Sequence, residues 1–207
     1  MNNKVWTPAL KDFAQPRGGE EAVSWSFYHM RRQALGAFPA SQQFFNVGKG
    51  GTDGAVSASE LETNMEKASS ITAPKRMLVT GINLMITGET AAGGLIDAGT
   101  ADETVDSIQQ AIDGLVFGFY ISDKKYLEVP ASFVPAGAGL SGFAGTTTNT
   151  EYVTSGVPSV KNNYSVLLPI PFEFAFYALI ANPKGFTTTA ALRMTVALHG
   201  ILVRPKQ

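Results

Sequence analysis

Tyr164-Ser165-Val166-Leu167-Leu168-Pro169-Ile170-Pro171-Phe172-Glu173-Phe174-Ala175-Phe176-Tyr177-Ala178-Leu179-Ile180-Ala181 leads into Asn182-Pro183-Lys184-Gly185 and then into Leu192 to Arg204. In the last part Leu192, Met194, Val196 and Leu198 alternate with Arg193, Thr195, Ala197 and His199. A period of two sends one set of side chains to a core and the other toward water or a neighbour. Tyr164, Val166 and Leu168 open a similar pattern. Phe172, Phe174, Phe176, Tyr177, Leu179 and Ile180 continue it past Pro169 and Pro171. Asn182-Pro183-Lys184-Gly185 reads as the turn before the last strand. The most strongly written strands therefore lie at the C-terminal end, and the upstream chain must supply their sheet partners.

A chain of 207 residues suits one large domain or two small ones. Hydrophobic residues make up 44% and charged residues 16%. The charge is low against the roughly 25% of ordinary soluble chains. It points to a surface covered by something besides water, most simply by copies of the same chain. A net charge of -1 gives no overall pull toward nucleic acid. The lack of cysteine excludes disulfides, thiolate zinc sites and cysteine nucleophiles. No N-terminal stretch has the basic–apolar–small order of a signal peptide. The most apolar window, Val166 to Ala181, is too short and too interrupted to span a bilayer.

Residues Met1 to Gly19 read as an arm broken by Pro8, Pro16, Gly18 and Gly19. A loose tail and a docked arm are both open, with Trp6 and Phe13 arguing for docking. Glu20 to Phe38 fits a helix or a strand. Glu20 and Glu21 at one end and Arg31 and Arg32 at the other favour a helix. Gln42 to Val47 reads as a short strand, followed by a glycine-rich turn over Gly48 to Gly54. Ser57 and Glu60 form a capping box, and Leu61, Met65 and Ala68 give a short helix. Met77 to Thr87 is a long strand whose apolar phase slips at Gly81, which predicts a β-bulge. Thr100 and Glu103 cap a second helix carrying Val105, Ile108 and Ile112. Leu115, Phe117 and Phe119 form a buried strand. Asp123-Lys124-Lys125 turns into an edge strand over Tyr126, Leu127 and Val129, limited by Pro130 and Pro135. Gly137 to Ser159 is a long exposed loop or hairpin. Many strands, few helices and no β-α alternation describe an all-β sandwich.

No motif displays a catalytic centre. Gly137-Ala138-Gly139-Leu140-Ser141-Gly142 has the G-x-G-x-x-G spacing, but prolines precede it and poor helix formers follow it. A dinucleotide site needs a strand before and a helix after. Gly48 to Gly54 lacks the order of a phosphate-binding loop. His29 and His199 stand without metal-site spacing, and polar structural roles account for both. Asp97, Asp102, Glu103, Asp106 and Asp113 are an acidic cluster without the order of a calcium loop, explained by capping and solvation. Lys4, Lys11, Arg17, Arg31 and Arg32 give the N-terminal segment a slight positive excess.

Several features in order resemble coat proteins of tailless icosahedral bacteriophages. They are Phe44-Phe45-Asn46-Val47, then Thr63-Asn64-Met65 running through Ala73-Pro74 into the long strand. Leu115 to Val129 running into Phe133-Val134-Pro135-Ala136-Gly137 follows, and Leu198-His199-Gly200-Ile201-Leu202-Val203-Arg204 closes the chain. The resemblance covers the chain from about Phe44. It implies a single jelly-roll β-sandwich with short inserted helices, residues 41–207, preceded by an arm and helix over residues 1–40. It further implies a non-enzymatic capsid subunit that self-assembles into an icosahedral shell, made in the host cytoplasm and resident in the virion. Its partners would be copies of itself and other capsid proteins, with weak contact of the arm to genome or internal membrane. No cofactor, metal or small-molecule substrate is expected. Trp6, Phe13, Arg17, Arg31 and Arg32 are the expected assembly residues of the arm. Outward apolar residues Ala197, Ile201 and Val203 would face another subunit. The rival reading is a spike-like or lectin-like module binding carbohydrate or a receptor through Phe143 to Tyr152. A cupin-type metal enzyme ranks last, because the chain lacks a histidine-rich strand pair.

Overall fold

The computed structural model describes residues 6–53, 56–89, 101–134, 140–145, 150–154 and 164–206. Eight strands build two antiparallel sheets. In chain order they are β1 (Glu20–Gln33), β2 (Ser41–Phe44), β3 (Arg76–Glu89), β4 (Val116–Ile121), β5 (Lys124–Pro130), β6 (Tyr164–Ile170), β7 (Phe176–Ala181) and β8 (Ala191–Pro205). The first sheet runs β1-β8-β3-β6 and the second β2-β7-β4-β5. Two helices accompany them, α1 (Pro8–Ala14) and α2 (Ala101–Gly114). The inner faces of both sheets share one core. Phe27, Ile82, Leu84, Met194, Val196 and Leu198 meet Phe44, Phe117, Phe119, Phe176, Ala178 and Ile180 there. The architecture is an all-β sandwich.

The alternation in β8 is realised along its length. Leu192, Met194, Val196 and Leu198 are fully buried, while Arg193, Thr195, Ala197 and His199 are only partly so. The bulge expected at Gly81 is present. His199 pairs with Gly81 and Gly200 with Val79, so Thr80 is the extra residue. Ser122 and Asp123, both at positive φ (46° and 64°), make the two-residue turn between β4 and β5. β5 lies at the edge of its sheet and ends at Pro130, as expected. The segment Gly137 to Ser159 contains a hairpin of Leu140–Gly145 and Thr150–Thr154.

Three local expectations are corrected. The helix from Glu20 is the strand β1, paired with β8 from Glu20↔Pro205 to Gln33↔Leu192. Its terminal charges do not serve a helix dipole. Glu20 binds Arg76, Glu21 binds Arg204, and Arg31 donates to the Gln43 carbonyl. The sandwich therefore begins at Glu20, ahead of the boundary expected near residue 41. The helix over Leu61 to Ala68 is absent. A related contact forms two residues later, where Ser59 N–H and Oγ–H both donate to the Glu62 carboxylate and Glu62 N–H donates to the Ser59 carbonyl around a single turn. The chain then straightens to protect the open edge of β1. Met30 N–H donates to the Glu62 carbonyl at 2.6 Å, and Asn64 accepts from Tyr28 N–H at 2.9 Å. Asn64 also donates to the Ser26 carbonyl at 2.7 Å. An edge strand so occupied is a poor template for stray pairing. Finally, Phe172 and Phe174 do not continue a strand. Glu173 takes a φ of 62° and turns the chain between β6 and β7.

Strand lengths shape the two ends. β1 and β8 have 14 and 15 residues, whereas β2 and β7 have 4 and 6. At about 3.3 Å per residue the first sheet overhangs the second at both ends. α2 packs at one overhang through Ile108 and Ala111, and Ser107 Oγ accepts from the Thr189 and Ala190 amides at 3.1 and 3.2 Å. At the other end lie α1, the described residues 45–53 and 56–75 of the connection to β3, the 122–123 turn and the 171–175 turn. Hydrogen bonds tie the last three together, among them Phe176 N–H to Ser69 O and Ser122 N–H to Ala175 O.

Candidate assembly surface

At the 45–75 end, one guanidinium fastens the N-terminal arm. Arg76 Nε donates to the Phe13 carbonyl at 2.9 Å, and Nη2 donates to the Gln15 carbonyl at 2.9 Å. Nη1 and Nη2 reach the two carboxylate oxygens of Glu20 at 2.8 and 3.1 Å. Such a fork is specific to arginine. The Arg76 hydrogen bond, aided by the Arg17 amide, holds the Glu20 carboxyl down to about 2 from an ordinary 4.5. Thr7 caps the short α1, and Pro8 sits in its first turn. α1 contacts β3 and β8 on the outer face of the first sheet. Leu78 and Val203, which pair with β8 and β1 on that face, are buried at 0% and 1% exposure. Val203 is thus covered within its own chain, contrary to the expectation that it faces a neighbour. Ala197 and Ile201 remain partly exposed.

The connection over 45–75 covers its overhang incompletely. A groove of about 320 Å³ remains between the inner face of the first sheet and residues 64–75. Trp25, Phe27, Met65, Ile71 and Leu202 supply its apolar lining, and Lys75, Arg204, Lys206 and Glu66 reach it. Trp25 is 39% exposed although it points to the inner side. Lys75 pairs with Glu66 at 2.6 Å and holds that carboxyl below its ordinary value by hydrogen bonding. Arg204 pairs with Glu21 at 2.8 Å. Beside the groove, the 171–175 turn carries Phe172 and Phe174 at 47% and 50% exposure. Glu173 N–H donates to the Ile71 carbonyl at 2.9 Å, so the turn is fixed to the groove wall. Sequence periodicity hid this surface, because Phe172, Phe174 and Phe176 share one phase and only Phe176 is buried. The one available signal was Pro171 between two short strands.

The residues expected to form an assembly arm do not gather. Trp6 precedes α1, Phe13 lies in its last turn, and Arg17 lies 3.7 Å from Asp12. Arg31 and Arg32 sit near the far end of β1, Arg31 against β2 and Arg32 3.5 Å from Glu62.

The remaining candidates find structural uses. His29 is buried and its Nδ1 accepts the Phe45 N–H at 2.8 Å, where Phe45 has a φ of 67°. His199 Nδ1 lies 2.6 Å from Ser26 Oγ and Nε2 lies 3.0 Å from Asn83 Nδ2; burial lowers its pKa. In the glycine loop, the amides of Lys49, Gly50 and Gly51 donate to Met65, Ala58 and Gly48 carbonyls. These three amides are therefore engaged within the chain and are not free to hold a phosphate. Gly142 lies within the strand Leu140–Gly145, so the helix that a dinucleotide fingerprint requires is missing. Gly137 to Gly139 and Asp97 fall outside the described residues, as do the side chains of Asp102, Glu103, Asp106 and of the hairpin strands between Phe143 and Tyr152. Asp113 accepts from Gln109 along α2 at 2.7 Å. Among the described residues no group of three or more His, Asp or Glu side chains is placed to hold a metal. No described helix is long and apolar enough to cross a membrane. The chain has no match among protein-family models, curated proteins or solved structures.

Proposed function

We propose that the protein is a viral coat subunit of the jelly-roll type, which self-associates through capsomer contacts into an icosahedral shell. The observation that carries this reading is the strand order. Numbered along the chain, the eight strands of the sandwich run 1-8-3-6 in one sheet and 2-7-4-5 in the other. Eight strands wound as two Greek keys are the jelly roll of viral capsids and of some lectin domains. Topology alone does not give function. Additional support comes from the surface: charged residues are only 16% of the chain, and aromatic side chains stand exposed on a turn at one end. Exposed apolar surface of this kind marks interaction sites. The arm is held by polar contacts to Arg76 and α1 has no buried residue, so it is a detachable element suited to rearrangement on assembly. On this reading the subunit works in the virion as a structural protein, without a catalytic centre.

Negative-stain microscopy of concentrated protein, run beside a glycan array on the same sample, tests the reading. Rings or shells without saturable sugar binding are expected. A dispersed monomer that binds a glycan saturably would instead establish the lectin-like alternative.

A further inference from the structure

We propose, building on the coat-subunit reading, that the groove beside Trp25 receives the Phe172-Glu173-Phe174 turn of a second copy, and that two copies exchange these turns reciprocally. The two halves of the contact are chemically matched. The groove has an apolar floor formed by Trp25, Phe27 and Ile71, and its size suits an aromatic side chain with flanking backbone. The turn offers two half-exposed phenylalanines on either side of a carboxylate.

Charge complementarity selects this occupant. At the groove, Lys75 and Arg204 already have carboxylate partners in Glu66 and Glu21. Lys206 has none among the described residues, and it lines the groove. Glu173 likewise has no cationic partner among the described residues. Among the described residues the 171–175 turn therefore presents an acid without a cationic partner, and the rim of the apolar groove a base without an acidic one. Burying two aromatic rings beside such a pair gives the central aromatic anchor typical of interface hot spots.

The turn cannot serve its own groove in the observed conformation. The hydrogen bond from Glu173 N–H to Ile71 O fixes it to the outer side of the groove wall, with both rings outside. Knob and groove lie side by side at one end of the molecule. A patch that carries both a knob and its receptor is self-complementary, and the simplest contact it makes is a two-fold pair. Pairs of this kind would join subunits across a two-fold axis of the assembly.

The test uses the lack of native cysteine. The full-length variants Glu173→Cys and Lys206→Cys are purified separately, mixed, and treated with a short bismaleimide, while light scattering follows the mass of wild type, Phe172→Ala/Phe174→Ala, Glu173→Lys, Lys206→Glu and the double charge swap. The expected results are a covalent dimer in the mixture, and self-association weakened at least about thirtyfold by the double alanine variant with unchanged circular dichroism. Each single charge reversal weakens association, and the double swap restores it. If the wild type associates but no link forms and the variants leave its mass unchanged, the exchange is wrong and the coat reading stands. A wild type that stays monomeric overturns both.

Discussion

A Cβ atom built on Gly200 would lie 2.1 Å from the carbonyl oxygen of Leu78. The cause is the bulge at Thr80, which slips β3 by one residue and presses its backbone onto β8 at this position. No flexible side chain stands between the two backbones, so nothing can yield cheaply. Gly200→Ala is expected to cost several kcal/mol, in the range of the most damaging single substitutions. Gly18→Ala, where a Cβ meets nothing within 4 Å, should change stability by less than about 0.5 kcal/mol. Urea denaturation of the two variants checks this; equal midpoints would refute the bulge geometry.

Val196 is fully buried in the central strand of the first sheet. Val196→Asp places a carboxylate in the core without a partner, at a cost of several kcal/mol. The variant should be insoluble or lack native circular dichroism. A soluble, native-like product would show that the other face of β8 is inside.

Arg76→Lys should free the arm. An ammonium cannot reproduce a fork that reaches Glu20 and the carbonyls of Phe13 and Gln15 together. Proteolysis within Pro8–Ala14 is expected to accelerate by about tenfold, the equivalent of roughly 1.4 kcal/mol, while the sandwich remains intact. An unchanged cleavage rate would mean that α1 is held by its contacts with β3 and β8 alone.

The same latch gives a pH dependence of definite sign. The Glu20 carboxyl is lowered from 4.5 to about 2, chiefly by the Arg76 hydrogen bond. Its ionised form favours the docked arm, so its contribution is fully present above about 4.5 and is lost as pH falls toward 2. Hydrogen exchange of α1 amides, corrected for intrinsic rates, should be level between pH 7 and 5 and lose protection below. Glu20→Gln should remove that acid-dependent step; its persistence would assign the step to another carboxylate.

Deleting Met1 to Gly19 should leave the sheets folded, uncover Leu78 and Val203, and reduce particle yield. Circular dichroism and microscopy of the truncated protein read both effects. An unchanged yield would remove the arm from the assembly account.

What was legible in the sequence depended on whether local pattern and tertiary partner agreed. β8 alternates cleanly from Leu192 to Leu198 because one of its faces meets the core over that length. The bulge in β3 was legible because a phase slip of one residue has few other causes. β1 was not, since Val23, Phe27 and Met30 fit a helix stripe as well as a strand and only pairing with β8 decides. Its end charges misled for the same reason: Glu20 and Arg31 serve partners 56 and 12 residues away. The Ser59–Glu62 box signals a helix start, but Thr63 and Asn64 are taken up by the edge of β1 before a second turn can form. The groove at Trp25 arises from a difference in length between two sheets, which no local window contains.

Light scattering of the purified full-length chain over a wide concentration range tests the central claim most directly. The coat reading predicts a mass that rises with concentration toward capsomers or shells, many times the 22.0 kDa of one chain. A constant mass of one chain at every concentration would contradict it.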